Sequence, residues 1–354
     1  MDGKIKVGVW GLGRAGHAMH VEELKMYPDM FEAVAGCDIA PERREAAKEK
    51  FPGLRLYAEG KDMLADPELE MITIATRSPQ HVEHAIAALE TGHYVVVDKP
   101  IACSYEDGLK LYEASKRYPG KLFIRHNRRF ETAFSHVQEI IASGKLGEIF
   151  EVKLARHSFV WRKDWQTIRE LGGGQLLNWG PHLIDHALRF LESPVKEVWS
   201  DLKLINARGD AEDHVKIILK GENSRVVEIE ISGGIAKVEP IYIVYGTRGS
   251  LLSYDEKRIK LRYLRRDITT PQLEADPGLP DLHGDYGVPV PAGGWIEDDI
   301  AVAPESCYNI YSMWPLIYRA IREGGEYPVT MEQALEVVRI TSLIQKTAID
   351  KVGK

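Results

Sequence analysis

The sequence predicts an α/β domain wound around a parallel sheet, followed by an α+β domain built on a large, mainly antiparallel open sheet. Three observations predict it. The first part of the chain alternates short apolar runs with segments of helical periodicity. A glycine-rich turn, Gly11-Leu12-Gly13-Arg14-Ala15-Gly16, joins the first apolar run to the first helical segment. Beyond Ser143 the strand-like runs lengthen and lose their regular intervening helices. A chain of 354 residues exceeds the usual size of one core, and the change of pattern divides it into residues 1–125 and 126–354.

In the first domain, strands are expected at Lys4–Trp10, Phe31–Cys37, Leu54–Tyr57, Met71–Ala75, Tyr94–Val97 and Leu122–Arg125. Helices fill the gaps, the first over Ala15–Met26. Pro41 suits the first turn of another, where its missing N–H would have no partner anyway, and Ser104 caps a third. In Pro79–Glu90 the residues Val82, Ala85, Ile86 and Leu89 recur at helical spacing, and Gly92 stops the helix. A helix over Thr132–Ser143 leads into the second domain. There, strands are expected at Ile149–Ala155, Val195–Leu204, Val215–Leu219, Val226–Ile231, Ile241–Tyr245, Ser250–Tyr254 and Ile259–Tyr263, interrupted by a helix at Pro181–Leu191. The Pro-, Gly- and Asp-rich stretch Thr269–Gly294 reads as a long surface loop, and Ser306–Glu323 and Met331–Ile349 as closing helices.

Composition narrows the function classes. With 44% hydrophobic and 28% charged residues the chain resembles ordinary soluble globular proteins. A net charge of -7 with dispersed basic residues argues against a nucleic-acid partner. No apolar stretch has the length of a membrane span, and the chain enters a core strand without a signal-peptide apolar region, so no membrane partner and a cytoplasmic location are expected. Cys37, Cys103 and Cys307 are scattered and odd in number, which suggests neither a disulfide framework nor a cysteine metal site. They read as buried or half-buried small apolar residues.

The glycine turn is a dinucleotide fingerprint. The first glycine permits the tight turn, the second lets backbone approach a pyrophosphate, and the third lets the helix pack against the sheet, with its free N–H groups aimed at phosphate. This is the Rossmann arrangement. Asp38 closes the second strand, where a carboxylate accepts hydrogen bonds from the ribose hydroxyls and repels a 2′-phosphate. NAD is therefore favoured, with NADP left open by Arg43 and Arg44. Asp38 can also cap the next helix. Thr76, Ser78 and His81 follow the fourth strand, and Asp98-Lys99-Pro100 the fifth, both at the carboxyl edge where ligands of such sheets bind. A lysine there can polarise or deprotonate a hydroxyl.

A second constellation runs from Gly172 to His186. Pro181 can open a helix, which would set His182, Asp185 and His186 on one face at helical spacing. Such a face suits acid–base chemistry; no HExxH or distant ligand cluster accompanies it, so no metal is assigned. His186 reads equally as a core histidine. Arg156, His157, Trp161, Arg162 and Trp165 precede the glycines and offer donors and flat apolar faces for a carbohydrate, or ordinary packing.

Together, GLGRAG, ATRSPQH, DKP and GGGQLLNWGPHLID resemble the glucose-fructose oxidoreductase / inositol dehydrogenase / rhizopine catabolism (Gfo/Idh/MocA) family, as do Arg128-Arg129-Phe130, Gly144–Gly147 and Tyr245–Leu251. The resemblance implies a Rossmann domain that binds NAD(P) through Gly11, Leu12, Gly13, Arg14, Ala15, Gly16, Asp38, Thr76, Ser78, His81, Asp98 and Lys99. It implies a second domain whose open sheet forms a homodimer or homotetramer interface. It also implies oxidation or reduction of a secondary alcohol of a sugar or polyol, with Lys99 and His182 as the catalytic pair. Lys99, Arg156, Trp161, Arg162, Trp165, Asn178, His182 and His186 then face substrate. Two departures stand out: Asp98 replaces the family glutamate, and Asn178, which cannot exchange a proton, replaces the aspartate four residues before His182. Two other readings stay open: a glycosidase that recycles tightly bound NAD through oxidation, elimination, hydration and reduction, and a non-catalytic dinucleotide-binding regulator.

Overall fold

The computed structural model describes residues 3–279 and 287–353. Six strands, β1 (Ile5–Trp10), β2 (Phe31–Cys37), β3 (Arg55–Tyr57), β4 (Met71–Ile74), β5 (Tyr94–Asp98) and β6 (Leu122–Arg125), form one sheet in the order β3-β2-β1-β4-β5-β6. Every pairing in it is parallel. Strands this apolar bury both faces under helices, among them Pro41–Lys50, His81–Glu90 and Tyr105–Arg117. Ser104 caps the last of these, its Oγ accepting from Asp107 N at 3.1 Å. The order reverses between β1 and β4, so the loops leaving their carboxyl ends diverge and open a crevice there.

The second sheet has nine strands: β7 (Ile149–His157), β8 (Val195–Leu204), β9 (His214–Gly221), β10 (Val226–Ser232), β11 (Tyr242–Gly246), β12 (Gly249–Ser253), β13 (Arg258–Leu264), β14 (Trp295–Ala301) and β15 (Ile349–Lys351). Their order is β14-β13-β12-β11-β7-β10-β9-β8-β15, antiparallel except for β7 with β10 and β8 with β15. Alternation is regular. Val152, Val215, Ile217 and Ile229 are buried in one core with residues of the helices Thr132–Ala142, Gly180–Leu191 and Met331–Ile344. The other face carries cross-strand pairs such as Lys216 with Glu228 at 2.8 Å.

The chain end returns to the first sheet. In the helix Met313–Arg322, Trp314 is fully buried against Phe31, and its Nε1 donates to Glu23 at 2.7 Å. Glu23 also receives Arg125 at 2.6 Å, so a buried ion pair joins three distant segments.

Several elements differ from the sequence expectations. The penultimate helix begins at Met313 instead of Ser306, because the preceding loop is fixed through its backbone: Tyr308 O accepts from Thr132 Oγ1, and Glu305 N and Ser306 N donate to Glu139. The last helix ends at Ile344, and Ile349–Lys351 is a short strand paired with β8. Trp295–Ala301 is an edge strand, β14, whose acidic outer positions hide its alternation. Cys307 is exposed rather than buried. The described parts of Thr269–Gly294 carry no helix or strand; residues 280–286 of that loop lie outside the described residues. Among the described residues no helix is long and apolar enough to cross a membrane.

Candidate active site

The turn after β1 is set by sterics. Gly11 has φ +100°, and a Cβ there would lie 2.6 Å from the Ala75 carbonyl; one on Gly16 would lie 1.8 Å from the Gly11 oxygen. At Gly13 a Cβ would meet nothing nearer than Arg43 Nη1 at 3.6 Å. Two glycines thus close the turn and the middle one leaves its backbone open to the crevice. This is the cradle a pyrophosphate requires, and the residues present fit a dinucleotide. The helix that follows contains a π turn over Gly16–Val21 before Glu22–Lys25.

Asp38 is buried at the end of β2. Its Oδ2 accepts from Leu12 N at 2.8 Å and its Oδ1 from Ala40 N at 3.0 Å; the second bond closes a turn ahead of Pro41–Lys50, so Asp38 sits beside the glycine turn and does not cap that helix. Arg43 pairs with the same carboxylate at 3.3 Å, and Arg44 donates to the Asp38 carbonyl.

From this turn a cleft of about 1180 Å³ runs along the carboxyl edge of the sheet into the second domain. Gly11, Gly13, Arg14, Ala15, Asp38, Thr76, Ser78 and His81 line one end, and Lys99, Arg162, Trp165, Asn178 and His182 the other. The volume exceeds the range usual for a pocket holding one small molecule. Leu12 and Gly16 contribute to the turn from behind.

Lys99 leaves β5 and its Nζ donates to Asn178 O at 2.7 Å, with Asn178 Oδ1 at 3.4 Å. Burial pushes its ammonium down to about 8, and the charges of Arg125, Arg128 and Arg162 add to the shift against that of Asp98. Asp98 is also buried, which alone would raise it. Arg125 at 3.6 Å, then His20 at 3.4 Å and Lys99, instead hold it well below the usual carboxylate range. The shorter carboxylate also accepts from Lys99 N at 2.8 Å. His81 is buried between Pro100 O at 2.7 Å and Thr76 O at 3.1 Å, which ties the two loops together.

His182 lies in the first turn of Gly180–Leu191 and lines the cleft, with Nδ1 buried and, among the described residues, without a hydrogen-bond partner. Burial, then Lys99 and Arg128, keep its imidazole well below its ordinary value, so it is neutral at pH 7. Asp185 and His186 face elsewhere, because this helix is buried on almost every side. Asp185 takes a bidentate pair from Arg129, which Gln333 also holds at 2.9 Å. His186 is stacked on Phe134 at 3.9 Å with Nε2 2.8 Å from Arg128 O, so the structure does not bring it to the cleft.

Two further expected substrate residues lie off the cleft wall. Arg156 is taken up by Glu131 at 3.1 Å and by Glu256, and lies 5.3 Å from the Trp179 ring. Trp161 is 68% exposed and packs edge-on to Phe159. Conversely, Arg77, Asn127, Arg128, Gln166 and Glu212 line the cleft without having been singled out for a role in the sequence. Of these, Arg77 and Arg128 had a signal, in the ATRSPQH segment and in the Arg128-Arg129-Phe130 triplet.

A six-stranded Rossmann sheet, a glycine turn open to a long cleft and a lysine at that cleft's far end define an NAD(P)-dependent oxidoreductase. Two family profiles match the chain: residues 5–126 match an oxidoreductase family with NAD-binding Rossmann fold, and residues 134–252 the GFO/IDH/MocA C-terminal domain. The chain is 26% identical to scyllo-inositol 2-dehydrogenase (NADP(+)) IolW of Bacillus subtilis, over 98% of this chain and 94% of that protein. It is 28% identical to the uncharacterized oxidoreductase YdgJ of Escherichia coli, over 97% and 96% of the two chains. The crystal structure of an NAD-binding protein from Listeria innocua superposes with a TM-score of 0.79 at 26% identity, covering 97% and 94%. The protein belongs to the Gfo/Idh/MocA family of oxidoreductases and is an NAD(P)-dependent enzyme.

Proposed function

We propose that the protein transfers hydride between a nicotinamide dinucleotide and a secondary alcohol of a sugar or polyol. The observation that carries this reading is Lys99 at the cleft's far end, depressed to about 8 and, among the described residues, hydrogen-bonded through Nζ to Asn178 alone. The bound dinucleotide supplies the hydride acceptor or donor. Gly11 to Gly16 receive its pyrophosphate, Asp38 its ribose, and Thr76, Ser78, His81 and Asp98 flank the path toward Lys99.

In the oxidising direction the hydroxyl proton must leave as hydride does, since an alkoxide is otherwise too unstable. Neutral Lys99 accepts that proton, and its ammonium returns it in reduction. Asn178 accepts hydrogen bonds from Lys99 but cannot carry the proton onward. Neutral His182 is the second group able to accept one. Trp165 and Arg162 offer a flat apolar face and donors to the sugar ring. The Asp38 carboxylate favours NAD over NADP, and the outer face of the second sheet is the self-association surface, giving a homodimer or homotetramer.

The test is a screen of sugars, polyols and aryl glycosides with NAD and NADP separately, following reduced cofactor and product mass. Steady formation of NADH with a ketone product supports the reading. Glycoside cleavage by purified enzyme without added NAD or net NADH overturns it.

A further inference from the structure

Around the Lys99 end of the cleft, two guanidinium groups keep N–H donors that no side chain takes up among the described residues. Arg128, from the helical turn Asn127–Phe130, and Arg162, from the segment after β7, line the cleft with Lys99 and His182. Arg128 is held by Glu131 through Nη1 and by the Trp179 ring 4.3 Å from its guanidinium carbon; among the described residues its Nε and Nη2 make no hydrogen bond. Glu131 is shared with Arg156. Arg162 is held flat by Asp164 at 2.8 and 3.0 Å and donates to Gln166, leaving Nη1 without a hydrogen bond among the described residues. Gln166 in turn donates to Asn178 Oδ1 at 3.5 Å, the amide that Lys99 also reaches.

Asp98, Glu170, Glu212 and Asp213, which also line the cleft, pair with neither guanidinium among the described residues. Asp213 accepts from the backbone N–H groups of Ile205, Asn206 and Ala207, each at 2.7 Å, and Glu212 from Leu176 N at 2.9 Å. Asp98 serves Arg125 and His20. On the reading of Lys99 given above, the oxidised nicotinamide ring lies here too and is itself cationic, while the cofactor phosphates lie at the glycine turn. The cofactor therefore adds to the local positive charge. Guanidinium donors left unpaired in a partly dehydrated cleft are costly, and a ligand oxyanion satisfies them.

We propose that the substrate carries an oxyanion, a sugar carboxylate or a sugar phosphate, seated against the Arg128 and Arg162 guanidinium groups while its reacting hydroxyl meets Lys99. Guanidinium presents a planar fork of donors that matches either group. This rests on the proposed assignment of Lys99 to the reacting hydroxyl.

The test measures binding and turnover separately. The full chain, saturated with NADH, is titrated with a panel of aldoses, their aldonates and uronates, and their phosphate esters, and the same panel is assayed with NAD. At least one anionic sugar binds at least about tenfold more tightly than its neutral counterpart, and the advantage shrinks in added salt. In Arg162→Leu the ratio of anionic to neutral affinity falls about tenfold, and Arg162→Lys recovers part of it. Melting curves confirm that both variants fold. A panel in which no anionic sugar outperforms its neutral counterpart overturns the proposal, as does an unchanged ratio in folded Arg162→Leu. Carboxylate against phosphate preference identifies the source of the oxyanion. Selective anion binding with no NADH formed on any sugar removes the dehydrogenase reading and leaves the oxyanion site standing.

Discussion

Lys99 Nζ donates to the main-chain carbonyl of Asn178, 2.7 Å away, and faces that residue's side-chain amide rather than a carboxylate. An amide accepts the hydrogen bond without stabilising the charge as a carboxylate would. Lys99 therefore sits at about 8 by burial and by its arginine neighbours, with only Asp98 opposing among the larger influences. If neutral Lys99 takes the substrate proton, kcat/KM for oxidation rises with pH and levels off above about 8. Lys99→Met lowers kcat by roughly 100-fold or more, the range of a lost general base, while NADH binding by fluorescence quenching persists.

Asn178→Asp tests the same contact in reverse. A carboxylate 3.4 Å from Nζ favours the ammonium, so the Lys99 value rises and the acid limb of the pH profile moves upward. A shift of about one unit is expected for an opposite charge at this range. A limb that stays in place, with substrate binding intact, assigns the titration to another group.

The glycine turn separates cofactor binding from folding. A Cβ at Gly16 lies 1.8 Å from the Gly11 oxygen, whereas one at Gly13 has open space before it. Gly16→Ala lowers Tm by several degrees, the response to about 1–3 kcal/mol of overpacking. Gly13→Ala keeps Tm and weakens NADH binding about tenfold or more, because the new methyl group stands where the pyrophosphate approaches. Thermal melts and NADH titrations of the two variants check the contrast.

Much of this was legible in the sequence because it depends on local chemistry. The strand, glycine turn and helix lie in one continuous stretch, as do Asp38 after β2 and Lys99 after β5. What was not legible depends on distant partners. Helical spacing grouped His182, Asp185 and His186, but their surroundings come from Arg129, Arg128 and Phe134, which precede them by about fifty residues in the chain. A helix buried on nearly every side has no single functional face for periodicity to reveal. β15 has three residues and is defined by its pairing with β8, so no pattern of its own could announce it.

Asp38→Ser removes the carboxylate but retains a hydroxyl able to accept from Leu12 N. With the charge gone, Arg43 becomes free to meet a 2′-phosphate, while Arg44 stays beside it on the Asp38 main-chain carbonyl. The ratio of kcat/KM for NADP to that for NAD rises at least about tenfold, equivalent to about 1.4 kcal/mol. A strong NADP preference in the unaltered enzyme would show that the arginines already prevail.

The Arg129–Asp185 pair makes a structural prediction that also tests why Asp185 is not a catalytic group. Burial alone would raise Asp185, yet the Arg129 charge and its hydrogen bonds hold it at about 2, below the ordinary aspartate value. Because the folded value is the lower one, the stabilisation is complete above the unfolded value near 4 and is lost as pH falls toward 2. It amounts to roughly 2 kcal/mol at neutral pH. Asp185→Asn strands a mostly buried guanidinium with Gln333 as its remaining side-chain partner, and breaking such a pair costs about 3 kcal/mol. Urea unfolding at pH 7 therefore separates the variant from the unaltered protein by about that amount, and the gap narrows below pH 3, where the native aspartate is protonating too. Arg129→Met combined with Asp185→Leu removes both charges and recovers part of the loss at pH 7. Because the pair lies behind the helix that carries His182, the pH dependence of turnover near neutrality stays where Lys99 sets it in all of these variants; a displaced profile would mean that Asp185 exchanges protons with the cleft.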